Sequence, residues 1–234
     1  MIMTPLEIDD QNELREIEPP LRFPAPVKWL AKILSWVFHP LFIPVYVSWF
    51  LVKVQPYLFA SFDPFEQIIV MIRFFVMYAM FPLVSVLLAK GLGFIDSIYL
   101  RTQKERIIPY IASGVYYFWM WYVLRNQPEF PDHVVSFSFA IFLASSFGLL
   151  ANIYMKVSMH ALSLGVMCTY MAWLAFILQT QFGFYVTMAF LIAGLVLTAR
   201  FIVSDHTQKE IYTGFFLGVL AQVIGFVLSM GIWD

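Results

Sequence analysis

The sequence predicts an all-α, polytopic transmembrane helical bundle of six to seven spans, and three observations support this. Apolar types make up 61% of the 234 residues and charged types only 12%, against about 45–50% and 25% in soluble domains. The apolar residues fall in runs of about 20, the length that a helix needs to cross the hydrocarbon core. The net charge of −1 argues against a nucleic-acid partner, and a single cysteine, Cys168, excludes an intramolecular disulfide.

Residues 1–28 are predicted to form a polar, acidic tail ahead of a transmembrane domain at 29–234. The tail lacks the basic start and short apolar core of a signal peptide. It contains three basic residues and a cluster of four prolines. Its acidic residues are Glu7, Asp9, Asp10, Glu13, Glu16 and Glu18. We expect it to stay on the side of the membrane where the chain is made.

Seven segments are long or apolar enough to be candidate spans. They are Trp29–Val52, Gln67–Ala89, Ile107–Leu124, Val134–Met155, Ser158–Leu178, Phe184–Val203 and Glu210–Ile232. The third is short. The first contains Pro40 and Pro44, and proline interrupts the hydrogen-bond ladder of a helix, so this segment should be kinked or broken. If it does not cross, the number of spans falls to six.

With seven spans, the tail shares one face of the membrane with the breaks at 90–106, at Lys156 and at 204–209; we call this the motif face. The other face has only Lys53 and Arg125. The motif face carries most of the 14 basic residues: Arg15, Arg22, Lys28, Lys32, Lys90, Arg101, Lys104, Arg106, Lys156, Arg200 and Lys209. Basic residues concentrate in cytoplasmic loops. We therefore expect an integral protein of a bacterial inner membrane with the N-terminus and the motif face in the cytoplasm.

Three polar clusters lie on the motif face, and their residue types suit phosphate chemistry. They are Arg101, Lys104 and Arg106; Lys156, Ser158 and His160; and Arg200, His206 and Glu210. Several cations can hold a phosphate dianion, and free amides at a helix start add to such a site. Two imidazoles can serve as nucleophile and acid. On a helix, Glu210 can reach His206 four residues away.

Simpler interpretations exist for each of these residues. A basic residue at a helix end, such as Lys104 or Lys156, commonly reaches the interface and sets topology. A single histidine at a helix start is often a cap. His39 and His133 lie outside the clusters, and we expect them to be structural. Gly214, Gly218 and Gly225 are most simply packing positions on the last span.

The third cluster resembles the last signature of the type 2 phosphatidic acid phosphatase superfamily. That signature runs Ser-Arg, five residues, His, three residues, Asp, and here Arg200, His206 and Glu210 have this spacing. Lys156-Val-Ser158-Met-His160 resembles the middle signature, Pro-Ser-Gly-His. Arg101 to Pro109 stands where the first signature, Lys, six residues, Arg-Pro, would be. The resemblance covers about residues 90–225.

The resemblance implies a helical-bundle lipid phosphatase that needs no metal and no cofactor, acting on a phospholipid or a polyprenyl phosphate. His206 would attack phosphorus and form a phosphohistidine, with Glu210 orienting it. His160 would protonate the leaving alcohol. The phosphate oxygens would be held by basic residues of the clusters and by Ser158, that is by Arg200, Ser158, Arg106, Lys104, Arg101 and Lys156. Neither the lipid nor the oligomeric state can be deduced from the sequence.

Two alternatives stay open. Val157 and Met159 replace the Pro and Gly of the middle signature, and Tyr99 replaces the Lys of the first. These departures would suit a catalytically inactive lipid-phosphate binder, carrier or scaffold with the same fold. A seven-helix receptor or sensor is the other alternative, and it rests on the number of spans alone.

Overall fold

The computed structural model describes residues 6–8, 14–16, 23–178, 182–204 and 206–231. Two three-residue strands, β1 and β2, pair antiparallel in the tail. The elements are β1 Leu6–Ile8, β2 Leu14–Glu16, α1 Ala25–Val37, α2 Ile43–Trp49, a π-helical turn Phe50–Val54, a 3₁₀ turn Pro56–Phe59, α3 Pro64–Phe75, a π-helical turn Val76–Met80, α4 Phe81–Gly91, α5 Gln103–Arg125, α6 Asp132–Ala151, α7 Met159–Leu178, α8 Gly183–Val203 and α9 Gln208–Gly231. The predicted helical class is confirmed for the membrane domain.

The first predicted span is broken, as Pro40 suggested. Helix α1 ends at Val37, and the chain resumes helical structure only at Ile43. The second part, Ile43–Val54, is an apolar helix too short to be counted as a span. Six helices in the described ranges are long and apolar enough to cross a membrane: Pro64–Gly91, Gln103–Arg125, Asp132–Ala151, Met159–Leu178, Gly183–Val203 and Gln208–Leu228. The count of seven, on which the receptor alternative rested, is therefore not met. Residue 232 of the last predicted span lies outside the described residues.

Helix α5 begins before the predicted third span, and this explains why that span looked short. Thr102 caps the helix, because its hydroxyl accepts from the Glu105 amide while the Glu105 carboxylate accepts from the Thr102 amide. This reciprocal capping box satisfies amides that the first helical turn leaves free. Arg106, a residue of the site described below, therefore lies at the end of the first turn of a transmembrane helix.

Helices α7 and α9 approach each other closely because they meet at glycines. A Cβ on Gly218 would lie 2.0 Å from the Leu162 carbonyl oxygen, and a Cβ on Gly165 would lie 2.1 Å from that of Phe215. Small residues allow this backbone approach in membrane bundles. A Cβ on Gly225 would likewise lie 3.0 Å from the Ser136 carbonyl oxygen of α6. The prediction that Gly214, Gly218 and Gly225 are packing positions is confirmed.

Contacts at the two ends of the bundle show how the broken first segment runs. Near the motif face, the His39 ring lies 5.5 Å from that of His160 at the start of α7. Near the opposite face, Phe50 packs against Phe182, and Phe59 packs against Phe130. The segment from His39 to Phe59 therefore passes along the bundle from one end to the other. The breaks that define the motif face stay together at one end, although only six helices are of full length.

Candidate functional site

A cavity of about 1040 Å³ opens at the motif face. Cationic and imidazole side chains from all three clusters and from the α1–α2 region line it: Lys32, His39, Arg101, Arg106, Lys156, His160, Arg200 and His206. Neither Asp nor Glu is among the lining residues in the described part of the chain. A cavity with this lining attracts anions.

The rest of the cavity is mostly apolar. It is lined from α4 to α6 by side chains that include Leu83, Leu87, Tyr117, Phe137 and Ile141. Binding sites of this kind combine a mostly apolar wall with a few placed polar groups. The cavity therefore suits an amphipathic molecule with a negative head and an apolar tail.

His206 is held by the carboxylate of Glu210, as the four-residue spacing predicts. The Nδ1–Oε2 distance is 3.3 Å. The same Oε2 accepts from the Thr207 amide at 2.9 Å, and the Thr207 hydroxyl accepts from the Glu210 amide at 3.3 Å. This is a second capping box, at the start of α9. Because a carboxylate accepts, Nδ1 carries the hydrogen, and Nε2 of His206 is the ring nitrogen with the lone pair.

Arg106 crosses between the first and third clusters. One guanidinium nitrogen, Nη2, lies 3.4 Å from Nε2 of His206. The other two nitrogens donate to main-chain carbonyls, Nη1 to Val157 at 2.7 Å and Nε to Leu100 at 2.9 Å. Arg106 is only 6% exposed. These bonds hold a buried positive charge directly beside the imidazole nitrogen that would attack phosphorus.

The electrostatics of the loop keep His206 neutral. Burial, then the positive charges of Arg106 and Arg200, lower the pKa of His206 to about 4, against the opposing effect of Glu210. An imidazole whose pKa lies near 4 is unprotonated at pH 7. Nε2 therefore has the lone pair that a nucleophile needs, and in this structure that lone pair accepts from Nη2 of Arg106.

His160 is oriented by a main-chain carbonyl rather than by a carboxylate. Its Nε2 lies 3.0 Å from the carbonyl oxygen of Ser35 in α1. Because a carbonyl oxygen only accepts, Nε2 donates, and Nδ1 is the nitrogen available to a ligand. Residues of the second and third clusters thus meet in one cavity with helix α1, which belongs to neither cluster.

Ser158 is a buried structural residue and is not among the residues that line the cavity. It is fully buried, its amide donates to the Glu210 carbonyl oxygen at 3.1 Å, and its hydroxyl accepts from the Ala161 amide at 3.4 Å. A Cβ on Gly214 would lie 2.7 Å from the Ser158 carbonyl oxygen, so α9 packs directly on this point. These contacts tie the start of α7 to the start of α9.

The remaining predicted phosphate ligands fall into two groups. Lys156, Arg200 and Arg101 line the cavity, and the Arg101 guanidinium lies 5.8 Å from the ring centre of Tyr99. Lys104 is exposed and is not among the lining residues. The structure thus brings together His206, Glu210, His160 and the four cations Arg101, Arg106, Lys156 and Arg200, and leaves Lys104 outside.

The loop before α5 is fastened by Glu105. Its carboxylate accepts from the amides of Asp96 and Ser97 at 3.1 and 2.9 Å. Leu100 in this loop has a φ of 50°, which lies in the left-handed region that β-carbon-bearing residues avoid. The strain is tolerated where the Leu100 carbonyl meets Arg106.

No family model, no curated protein and no solved structure matches this chain. The functional reasoning therefore rests on the geometry and on the motif resemblance. Among the described residues, His, Cys, Asp and Glu form no group of three or more that could hold a metal ion.

Sequence reasoning missed the part of the site that α1 supplies. His39 was expected to be structural because no polar cluster surrounds it in the sequence, yet it lies against His160 in the cavity. Ser35 was not singled out at all. The one available signal was Pro40, because a break after His39 leaves that side chain near a membrane face.

Proposed function

We propose that the chain is a membrane lipid phosphatase that hydrolyses a phosphomonoester or pyrophosphate of a lipid through a phosphohistidine. The observation that carries the proposal is the His206–Glu210 pair, with Nε2 of a neutral imidazole beside the Arg106 guanidinium in a cavity that has one cationic end and a mostly apolar wall. The resemblance to the type 2 phosphatidic acid phosphatase superfamily agrees with this assignment of roles.

In the proposed first step, Nε2 of His206 attacks phosphorus, and the bond between phosphorus and the ester oxygen breaks. The leaving oxygen takes a proton from Nδ1 of His160, which acts in this step as the imidazolium with both ring nitrogens protonated, and its Nε2 stays bonded to the Ser35 carbonyl. Glu210 stabilises the positive charge that develops on His206. Arg106, Arg200, Lys156 and Arg101 bind the phosphate oxygens, because charge-assisted bonds to phosphate are the strong ones.

In the second step, water attacks the phosphohistidine. His160, now neutral at Nδ1, takes the proton from that water, and His206 leaves as the neutral imidazole with which the cycle began. The lipid alcohol and inorganic phosphate are released. Ser158 is assigned to the frame, since its amide and hydroxyl are already bonded to Glu210 and Ala161.

Phosphate release by the purified protein in detergent tests the proposal. The substrates are a phosphatidate, a phosphatidylglycerophosphate and a polyprenyl diphosphate. His206→Ala should reduce turnover by about 10³-fold or more, because loss of a nucleophile removes the covalent route. Lys53→Ala is the matched control at the opposite face and should keep full activity. Equal activity in the two variants contradicts the mechanism, and a ³²P-phosphohistidine trapped on His206 supports it.

A catalytically inactive lipid-phosphate binder is the second candidate, and one observation favours it. Met159, which stands where the resembling signature has Gly, lines the cavity next to His160, and its side chain narrows the space for a phosphate there. For a binder, a phospholipid should bind in a way that Arg200→Ala weakens, with no turnover on any substrate of the panel. A trapped phosphohistidine contradicts this candidate.

We further propose that the motif face lies in the cytoplasm of a bacterial cell, because the cavity end of the bundle carries most of the basic residues. Lys104→Cys and Lys53→Cys report the two faces, and Cys168, which is buried, gives a low background. A maleimide that cannot cross membranes should label Lys53→Cys in intact cells and Lys104→Cys only after lysis. The reverse pattern contradicts the proposed orientation.

A further inference from the structure

The break between α1 and α2 brings a second polar wall to the cavity. Ser35 and His39 are four residues apart at the end of α1, and both line the cavity. The Ser35 carbonyl accepts from His160, and the His39 ring stands at 75° to the His160 ring with 5.5 Å between centres. This wall therefore adjoins His160, the imidazole proposed to protonate the leaving group. His206 contacts Arg106 and Glu210 instead.

Both residues of this wall present a donor that has no acceptor. The Ser35 hydroxyl is buried and has no hydrogen-bond partner among the described residues. Nδ1 of His39 accepts from the Leu41 amide at 3.4 Å, so Nε2 carries the hydrogen. Buried hydroxyls in native proteins are nearly always hydrogen-bonded, because an unsatisfied one is unfavourable. A buried, unsatisfied hydroxyl next to a second unpartnered donor on the same cavity wall indicates a place that a ligand's oxygen atoms occupy.

We propose that Ser35 and His39 form a leaving-group subsite, in which their two donors hydrogen-bond the ester oxygen of the lipid phosphate and the polar atoms next to it. The subsite rests on the proposed phosphatase function. As the P–O bond breaks, its electron pair stays on the ester oxygen, the proton comes from His160, and the new bond forms between phosphorus and Nε2 of His206. His39 donates a hydrogen bond throughout and gives up no proton.

The charge state of His39 agrees with this role. Burial, and after it the Arg200 charge, lower the pKa of His39 to about 4. A neutral imidazole at pH 7 is a hydrogen-bond donor through Nε2 and a poor proton donor. In the proposed mechanism, His160 takes up a proton when the phosphate binds and supplies it to the ester oxygen, and His39 supports that oxygen with a hydrogen bond.

Two substrates with the same dodecyl tail test the subsite. Dodecyl phosphate has an alcohol as a poor leaving group, and a dodecyl-substituted nitrophenyl phosphate has a phenol that needs little help. His39→Phe keeps the ring and removes the donor. It should lower kcat for the alkyl ester about 10²-fold, the order found when one such donor is removed, and change kcat for the aryl ester less than about 2-fold. His39→Gln, which restores a donor, should recover part of the loss.

His133→Phe is the matched control, since His133 lies at the opposite face at the start of α6. It should leave both rates unchanged. Equal losses on the alkyl and aryl esters in His39→Phe mean a structural role and overturn the subsite, as does full activity on both. Activity that survives His206→Ala overturns the phosphohistidine mechanism instead, while the alkyl-to-aryl ratio still decides on the subsite.

If the wild-type protein hydrolyses neither ester, calorimetric titration with dodecyl phosphate, which keeps the ester oxygen, separates the remaining outcomes. Binding that His39→Phe weakens at least about tenfold relative to His133→Phe supports the subsite in a protein that binds without turnover. Equal binding by the two variants, or no binding by the wild type, overturns it.

Discussion

Helices α5 and α9 begin with the same four residues, Thr-Gln-Lys-Glu, and the two starts do different work. At α5, the Glu105 carboxylate accepts from the Thr102 amide in the capping box and also from two amides of the preceding loop. At α9, the Glu210 carboxylate accepts from the Thr207 amide in the capping box and also from Nδ1 of His206. The local sequence determines the cap in both places. The further role of each carboxylate depends on the group that tertiary packing places beside it.

The comparison also separates structural from chemical roles within one motif. A carboxylate that binds main-chain amides and the hydroxyl of its own capping threonine stabilises a loop, while a carboxylate that also binds an imidazole fixes a tautomer and supports charge. Substituting the same residue in the two boxes should therefore change different properties of the protein.

The largest difference should come from Glu210→Gln and Glu105→Gln. Glu210→Gln should lower kcat about 10²- to 10⁴-fold, because the amide no longer fixes the tautomer of His206 or stabilises its charge, and should leave the fold intact. Glu105→Gln should keep most activity and lower the free energy of unfolding, since loop amides lose a charged acceptor. Initial rates and unfolding in denaturing detergent measure both. Similar activity losses in the two variants would make the boxes equivalent and refute the distinction.

Packing at the start of α9 should show the next effect. Gly214→Ala should destabilise the bundle by about 1–3 kcal/mol, because the new Cβ would lie 2.7 Å from the Ser158 carbonyl oxygen and must push α9 from α7. The control is Gly194→Ala in α8, where a Cβ meets nothing within 4 Å. It should be neutral or gain up to about 1 kcal/mol in helix propensity. An unchanged Gly214→Ala protein would mean that α9 is not seated on Ser158.

The pH response distinguishes the two boxes because a histidine, His206, precedes only the second of them. NMR of histidine-labelled protein, with the signal assigned by His206→Gln, should find His206 neutral from pH 7 to about 5 and protonated only near pH 4, where its lowered pKa lies. The unfolded chain takes up this proton near pH 6.5. Acidification from 6.5 to 4 therefore removes stability from the folded state. Titration of His206 near 6.5 would contradict the described environment.

The smallest effects should come from the two lysines of the boxes. Lys104→Ala and Lys209→Ala should each change kcat/KM by less than about 2-fold, because both side chains are exposed and neither lines the cavity. Lys156→Ala is the positive control, since Lys156 does line it, and should raise KM. A loss for Lys104→Ala as large as that for Lys156→Ala would return Lys104 to the phosphate site predicted from the sequence.

Much of the fold and part of the site follow from the sequence because the signals are local. The transmembrane helices are visible as apolar runs, and the His206–Glu210 contact follows from a four-residue spacing. The break at Pro40 and the packing glycines of α9 are also local features. Each of these features depends on residues within a turn or two of one another.

The rest depends on long-range packing that no spacing encodes. Ser158 faces the Glu210 carbonyl and not a ligand, because α9 seats on the start of α7. Lys104 points away because the α5 cap turns Arg106 inward. His39 joins His160 only after the broken α1–α2 segment folds against the bundle. In each case the sequence shows a residue of a suitable type but does not show which way its side chain points in the fold.

The bond between the Ser158 amide and the Glu210 carbonyl has a consequence for protein engineering. It joins two of the three clusters through main-chain atoms, so substitutions of cavity side chains leave it in place. For the proposed lipid substrate, libraries that randomise the apolar wall around Leu83, Leu87 and Ile141 should therefore explore new tail lengths and shapes on a fixed scaffold. Head-group chemistry and tail preference should evolve as separable traits in this protein.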